Sequence, residues 1–63
     1  MYSGVVKFYN TEKGFGFIVD NNSKEEVFVH KTGLVDEIRE GDLVTFDTER
    51  GKKGMNAVNV RIA

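Results

Sequence analysis

Lys13-Gly14-Phe15-Gly16-Phe17-Ile18-Val19 and Val27-Phe28-Val29-His30 are the stretches whose reading decides the fold of this chain. Side chains alternate across a β-strand, so Phe15 and Phe17 share one side of a strand and Phe28 and His30 share one side of the next. The opposite sides carry Gly14, Gly16 and Ile18, then Val27 and Val29, which are small or aliphatic and suited to a core. A sheet with aliphatics inside and aromatics outside needs a reason. Exposed phenyl rings are unfavourable in water and invite aggregation, so a ligand that stacks on them is expected, and nucleic-acid bases fit best. An extended peptide held on the same patch is the alternative.

With 63 residues the chain has room for one domain, residues 1–63. A chain of this length buries only about 60% of its unfolded surface, which leaves little stability and no space for a large catalytic cleft. The absence of cysteine removes disulfides, thiolate zinc sites and thiol nucleophiles together, and is compatible with a reducing compartment. His30 is the sole histidine, so no metal site is expected. Met1-Tyr2-Ser3-Gly4 carries no basic run leading into an apolar stretch, and no segment approaches the roughly 20 apolar residues of a membrane span. A cytoplasmic protein without membrane contact is expected. An enzyme is not: there is no glycine-rich phosphate loop, no nucleophile beside His30, and neither Ser3 nor Ser23 sits in a recognisable elbow. No cofactor is expected either.

Nine Lys and Arg against ten Asp and Glu give a net charge of −1. Bulk electrostatics therefore do not hold this chain on a phosphate backbone. The acids are unevenly spread, however. Asp36, Glu37, Glu40 and Asp42 crowd one connection, whereas Lys7, Lys13 and Lys31 lie in or beside the aromatic strands and can form a local basic rim.

Period-two patterning and turn residues predict five strands. They run over about Tyr2 to Asn10, from Gly14 to about Asp20, Glu25 to His30, Asp42 to Thr48, and Met55 to Ile62. In the last, Val58, Val60 and Ile62 share a face. Asp36 to Glu40 is read as one helical turn stopped by Gly41, and residues 49–54 as a charged hairpin loop. Five short strands in so small a chain expose edges that recruit other chains, and closure into a barrel removes them. The expected core is Val6, Ile18, Val27, Val29, Leu34, Val44, Phe46, Val58 and Val60. Strict alternation sets Val6 and Phe8 on one side, so Phe8 reaches the outer aromatic face only through a bulge or strong coil. Of Phe8 and Tyr9, one is expected to face the ligand and the other to pack at the barrel rim.

Gly4-Val5-Val6-Lys7-Phe8-Tyr9-Asn10, together with the two aromatic stretches, resembles the cold-shock domain. Gly41 to Asp47 and Lys53 to Val60 resemble that family's fourth and fifth strands, so the likeness spans nearly the whole chain. It implies an all-β, five-stranded antiparallel Greek-key barrel of the oligonucleotide-binding type. It further implies binding of single-stranded RNA or DNA, pyrimidine-rich by preference, and, as in bacterial members, action as an RNA chaperone, here expected of a monomer. An RNA-recognition motif shares the Lys-Gly-Phe-Gly-Phe run but needs two packed helices and a longer chain.

Carried over position by position, the resemblance implies that Phe15, Phe17, Phe28 and His30 stack on bases and that Phe8 extends the platform where the family usually has tryptophan. Lys7, Lys13 and Lys53 would meet phosphates or base edges, and Asn10 and Asn56 would supply polar contacts. Lys31 stands where an aromatic normally follows the second motif, and the connection after it is shorter and lacks the family's further aromatic. A trimmed platform follows, with charge substituting for one stack. Three or four stacked bases at roughly 1 to 3 kcal/mol each give a gross gain on the order of 3 to 12 kcal/mol, less the cost of ordering a flexible strand. With two to four phosphates neutralised, the log-log salt slope is expected to be shallow, at roughly −0.7 per phosphate.

Overall fold

In the computed structural model, which describes residues 1–51 and 54–63, the chain forms strands β1 (Tyr2–Asn10), β2 (Phe15–Asp20), β3 (Glu26–His30), β4 (Leu43–Gly51) and β5 (Gly54–Ile62). They close into a barrel in the order β1-β2-β3-β5-β4. The pairs β1/β2, β2/β3, β1/β4 and β4/β5 are antiparallel. The barrel is closed by a parallel seam, in which Phe28 and Val29 of β3 stand beside Asn56 and Ala57 of β5. No helix is long and apolar enough to cross a membrane among the described residues.

Alternation builds the core where the strands are regular. Gly16, Ile18 and Asp20 of β2 are buried and Phe15, Phe17 and Val19 are not, while β3 buries Val27 and Val29. The core consists of Val6, Ile18, Val27, Val29, Ile38, Val44, Phe46, Ala57 and Val60. Full burial of an aliphatic or phenyl side chain contributes roughly 1.5 to 3 kcal/mol, so this cluster is the main stabilising element. Among the described residues Asp20 is the buried charged one, and its carboxylate accepts the N–H groups of Asn22 (2.7 Å) and Ser23 (3.3 Å) to fix the β2–β3 turn.

Two expected core positions differ. Val58 is only half-buried and Ala57 is buried in its place, because β4 shifts register between Thr45 and Asp47 and Asn59 in β5 adopts φ 53°. That irregularity breaks the period of two, so Val58, Val60 and Ile62 do not share the core face, and Ile62 is exposed. Leu34 is partly buried against the core, and Ile38 completes it.

The helical turn expected over Asp36 to Glu40 is absent. The N–H groups of Val35 and Asp36 both donate to the Val60 carbonyl, at 2.9 and 3.2 Å, and the Asp36 carboxylate accepts the Ile62 N–H at 3.1 Å. Donors and side chains that a helix start would use are committed to β5. A single 3₁₀ turn forms earlier instead, at Lys31–Gly33. At the other hairpin the strands run further than expected, since Gly51 pairs with Gly54.

Candidate nucleic-acid interface

The side of β1, β2 and β3 that faces away from the core is ordered into transverse rows by strand register. Phe8 stands opposite Phe17, Phe17 opposite Phe28, and Phe28 beside Asn56. In the next row Asn10, Phe15 and His30 are aligned. The rings touch as one array: Phe15 and Phe28 are stacked with centroids 6.1 Å apart, Phe17 meets Phe28 edge-on at 5.9 Å, and Phe8 is tilted against Phe15 at 6.3 Å. Such pairs stabilise one another by about 0.5 to 1.5 kcal/mol, which holds each ring in place before any ligand arrives. Phe46 is the buried phenylalanine among the described residues.

Phe8 reaches this array through a bulge. The β1/β2 register slips between Val6 and Phe8, so that Val6 lies opposite Ile18 and Phe8 opposite Phe17, with Lys7 as the extra residue. The slip turns Val6 into the core and Phe8 outward, where it is 42% exposed, and leaves Tyr9 partly buried against the core. Gly16 permits the close approach of β1: a Cβ at this position would run into the Phe8 carbonyl oxygen and come within 2.9 Å of the Tyr9 ring.

The polar residues around the rings are held by the local backbone. His30 precedes the 3₁₀ turn, and its Nδ1 accepts the Thr32 N–H at 3.3 Å and lies 3.1 Å from Thr32 Oγ1. With Nδ1 accepting, the proton of a neutral ring sits on Nε2. Asn10 Oδ1 accepts the N–H groups of Glu12 and Lys13, each at 3.0 Å, so this oxygen builds the β1–β2 turn and only the side-chain amide nitrogen is left for other partners. Lys13 is exposed on that turn. Lys31 donates its N–H to the Gly14 carbonyl at 2.8 Å, and its aliphatic stem covers Gly14, which has φ 73°. Asn56 is half-buried between Phe28 and Glu49, against Gly51. Lys53 lies outside the described residues.

Lys7 is not free. Its Nζ is 3.0 Å from Glu26 Oε2. Neither Glu26 nor Thr32 was singled out from the sequence, although alternation puts Glu26 on the same side of β3 as Phe28 and His30. The described residues hold no cluster of three metal-ligating side chains. What the arrangement offers chemically is a set of fixed aromatic faces bordered by Lys7, Lys13 and Lys31, with an acidic group at each side, Glu26 and Glu49.

Comparison with known proteins agrees with this geometry. The family model described as the 'Cold-shock' DNA-binding domain matches residues 2–63. The chain is 44% identical over 62 residues to cold shock-like protein CspG of Shewanella violacea, covering 92% of this chain and 89% of that protein. It is 44% identical over 64 residues to cold shock protein ScoF of Streptomyces coelicolor, covering 95% and 96%. Y-box-binding protein 1 of Xenopus laevis is 40% identical over an alignment of 65 positions that covers 90% of this chain but 22% of that much longer protein. Among solved structures, drosophila Unr CSD456 superposes with a TM-score of 0.81 at 23% identity, over 98% of this chain and 26% of that one, a likeness of fold. On the strength of the family match along almost its entire length, the chain belongs to the cold-shock domain family, a family of nucleic-acid-binding domains.

Proposed function

We propose that this chain is a single cold-shock domain that works as a cytoplasmic monomer, binds single-stranded RNA or DNA and acts as an RNA chaperone. Unpaired bases stack on Phe8, Phe15, Phe17, Phe28 and His30; Lys7, Lys13, Lys31 and Lys53 contact phosphates or base edges, and Asn10 and Asn56 supply polar contacts. The observation that carries this reading is the register of Phe8, Phe17 and Phe28 in one row on the outside of a barrel whose core is aliphatic apart from Phe46. Fixed ring faces suit sequence-tolerant stacking, since every base has a π-face, and pyrimidine-rich segments are the preferred ligand. Capturing strands as they open shifts a paired RNA toward its melted form by mass action, with no nucleotide hydrolysis.

The test is a titration with a labelled short oligothymidine and its duplex. The single strand is expected to bind and the duplex to be ignored. Phe28→Ala is expected to weaken binding by about 1 to 3 kcal/mol while the barrel stays folded. Equal binding by Phe28→Ala and the parent would overturn the reading, and capture of extended peptides in preference to oligonucleotides would assign the rings to peptide binding.

A further inference from the structure

His30 stands opposite Phe15 and leads into the 3₁₀ turn Lys31–Gly33. That turn is tied down on two sides. Lys31 donates its N–H to the Gly14 carbonyl at 2.8 Å, and Gly33 lies so close to β5 that a Cβ there would come within 2.7 Å of the Ala57 carbonyl oxygen. Thr32, held between them, puts two groups on one ring nitrogen: its N–H is 3.3 Å and its Oγ1 3.1 Å from His30 Nδ1. The hydroxyl both donates and accepts, so it stays bonded to Nδ1 whether or not that nitrogen carries a proton. An exposed imidazole is otherwise free to turn about its side-chain bonds. Here one edge is fixed, and the opposite edge, with Nε2, meets no hydrogen-bond partner among the described residues.

We propose that Thr32 is a positioning residue that fixes this ring so that His30 holds a single strand twice, its face stacking on a base and its Nε2–H donating to a phosphate oxygen. The inference rests on the single-strand reading above and deepens it. An N–H donor lies in the plane of the ring, whereas a stacked base lies over that plane, so the donor cannot bond the base on its own face. Level with the ring edge is the backbone that joins this base to its neighbour, and a charged phosphate oxygen is the strongest acceptor there. The phenyl rings of the rows carry no donor, so this contact sets how the backbone lies across them.

The experiment measures binding of a labelled short oligothymidine by the parent, His30→Phe, Thr32→Val and Thr32→Ser, each checked for folding by circular dichroism. The strand is either native or carries a neutral methylphosphonate at one linkage at a time. His30→Phe keeps a stacking face and loses the donor, and is expected to bind about threefold to tenfold more weakly. At one linkage the methylphosphonate is expected to weaken the parent and leave His30→Phe unchanged, the coupling that marks a direct contact. Thr32→Val is expected to weaken binding about twofold to fivefold, and Thr32→Ser to match the parent. NMR of the imidazole nitrogens at alkaline pH is expected to show Nδ1 bare and Nε2 protonated in the parent and in Thr32→Ser, with a larger Nδ1-protonated share in Thr32→Val. Equal methylphosphonate penalties for the parent and His30→Phe at every linkage overturn the phosphate contact. Thr32→Val that matches the parent in both affinity and NMR overturns the positioning role. If Phe28→Ala binds weakly while His30→Phe matches the parent, only this proposal fails; if the parent ignores the oligothymidine, the single-strand reading fails and takes the proposal with it.

Discussion

Strands β2 and β5 both border β3, yet one is regular and the other is not. In β2 burial alternates without a break from Phe15 to Asp20. In β5 the buried residues Ala57 and Val60 are three apart, because Asn59 takes a left-handed φ of 53° opposite the register slip in β4. The two strands divide the work. Regular β2 turns Phe15, Phe17 and Val19 outward and Gly16, Ile18 and Asp20 inward, so it can present two rings to a ligand while Ile18 contributes to the core. Irregular β5 turns the barrel back onto β3, where it makes the parallel seam that closes it. A small barrel needs such bends to close; one lies in β5, and another, the β1 bulge at Lys7, brings Phe8 into the row with Phe17.

The largest effect that would break this division is expected at Phe46, the buried counterpart of the outward phenylalanines. Phe46 is 1% exposed and stacked on Tyr2 with centroids 5.8 Å apart. Phe46→Ala is expected to lower unfolding free energy by about 3 to 5 kcal/mol, read by denaturant titration in the cold. A loss below about 1 kcal/mol would contradict the placement of the core.

Phe28→Ala is the reciprocal case. It is expected to weaken oligothymidine binding by about 1 to 3 kcal/mol with a smaller loss of stability. If stability falls more than binding, the outward rings serve the barrel and the division between the two faces fails.

Gly16→Ala sharpens the comparison, since it acts where the faces meet. The added methyl would meet the Phe8 carbonyl oxygen and the Tyr9 ring, so β1 must move away, with an expected stability loss of about 1 to 3 kcal/mol. Binding should weaken too, because Phe8 moves with the strand.

How much of this was legible in the sequence follows the same division. The β1 bounds, the outward rings of β2 and β3 and the need for a bulge before Phe8 were readable because a period of two was intact on either side. Ile38 was not, since it lies in a connection without periodicity whose placement comes from backbone bonds to β5 and β1, such as Gly41 N–H to the Val6 carbonyl at 2.7 Å. The exchange of Val58 for Ala57 was hidden for a related reason: nothing local announces that Asn59 adopts a positive φ, although asparagine tolerates it better than most residues. At the candidate site, the rings were legible and the polar commitments were not. That Asn10 spends its oxygen on a turn, and that Lys7 is held by Glu26 across an intervening strand, are matters of geometry that appear only once the sheet is assembled.

The most direct test of the central claim is an NMR titration of the chain with a short oligothymidine, following the phenylalanine ring protons and their intermolecular contacts. The account predicts ring-current shifts of the thymine protons and contacts to Phe8, Phe15, Phe17 and Phe28, with the Phe46 ring unperturbed. Ligand contacts confined to the acidic connection at residues 34–42, with those four rings unmoved, would contradict it.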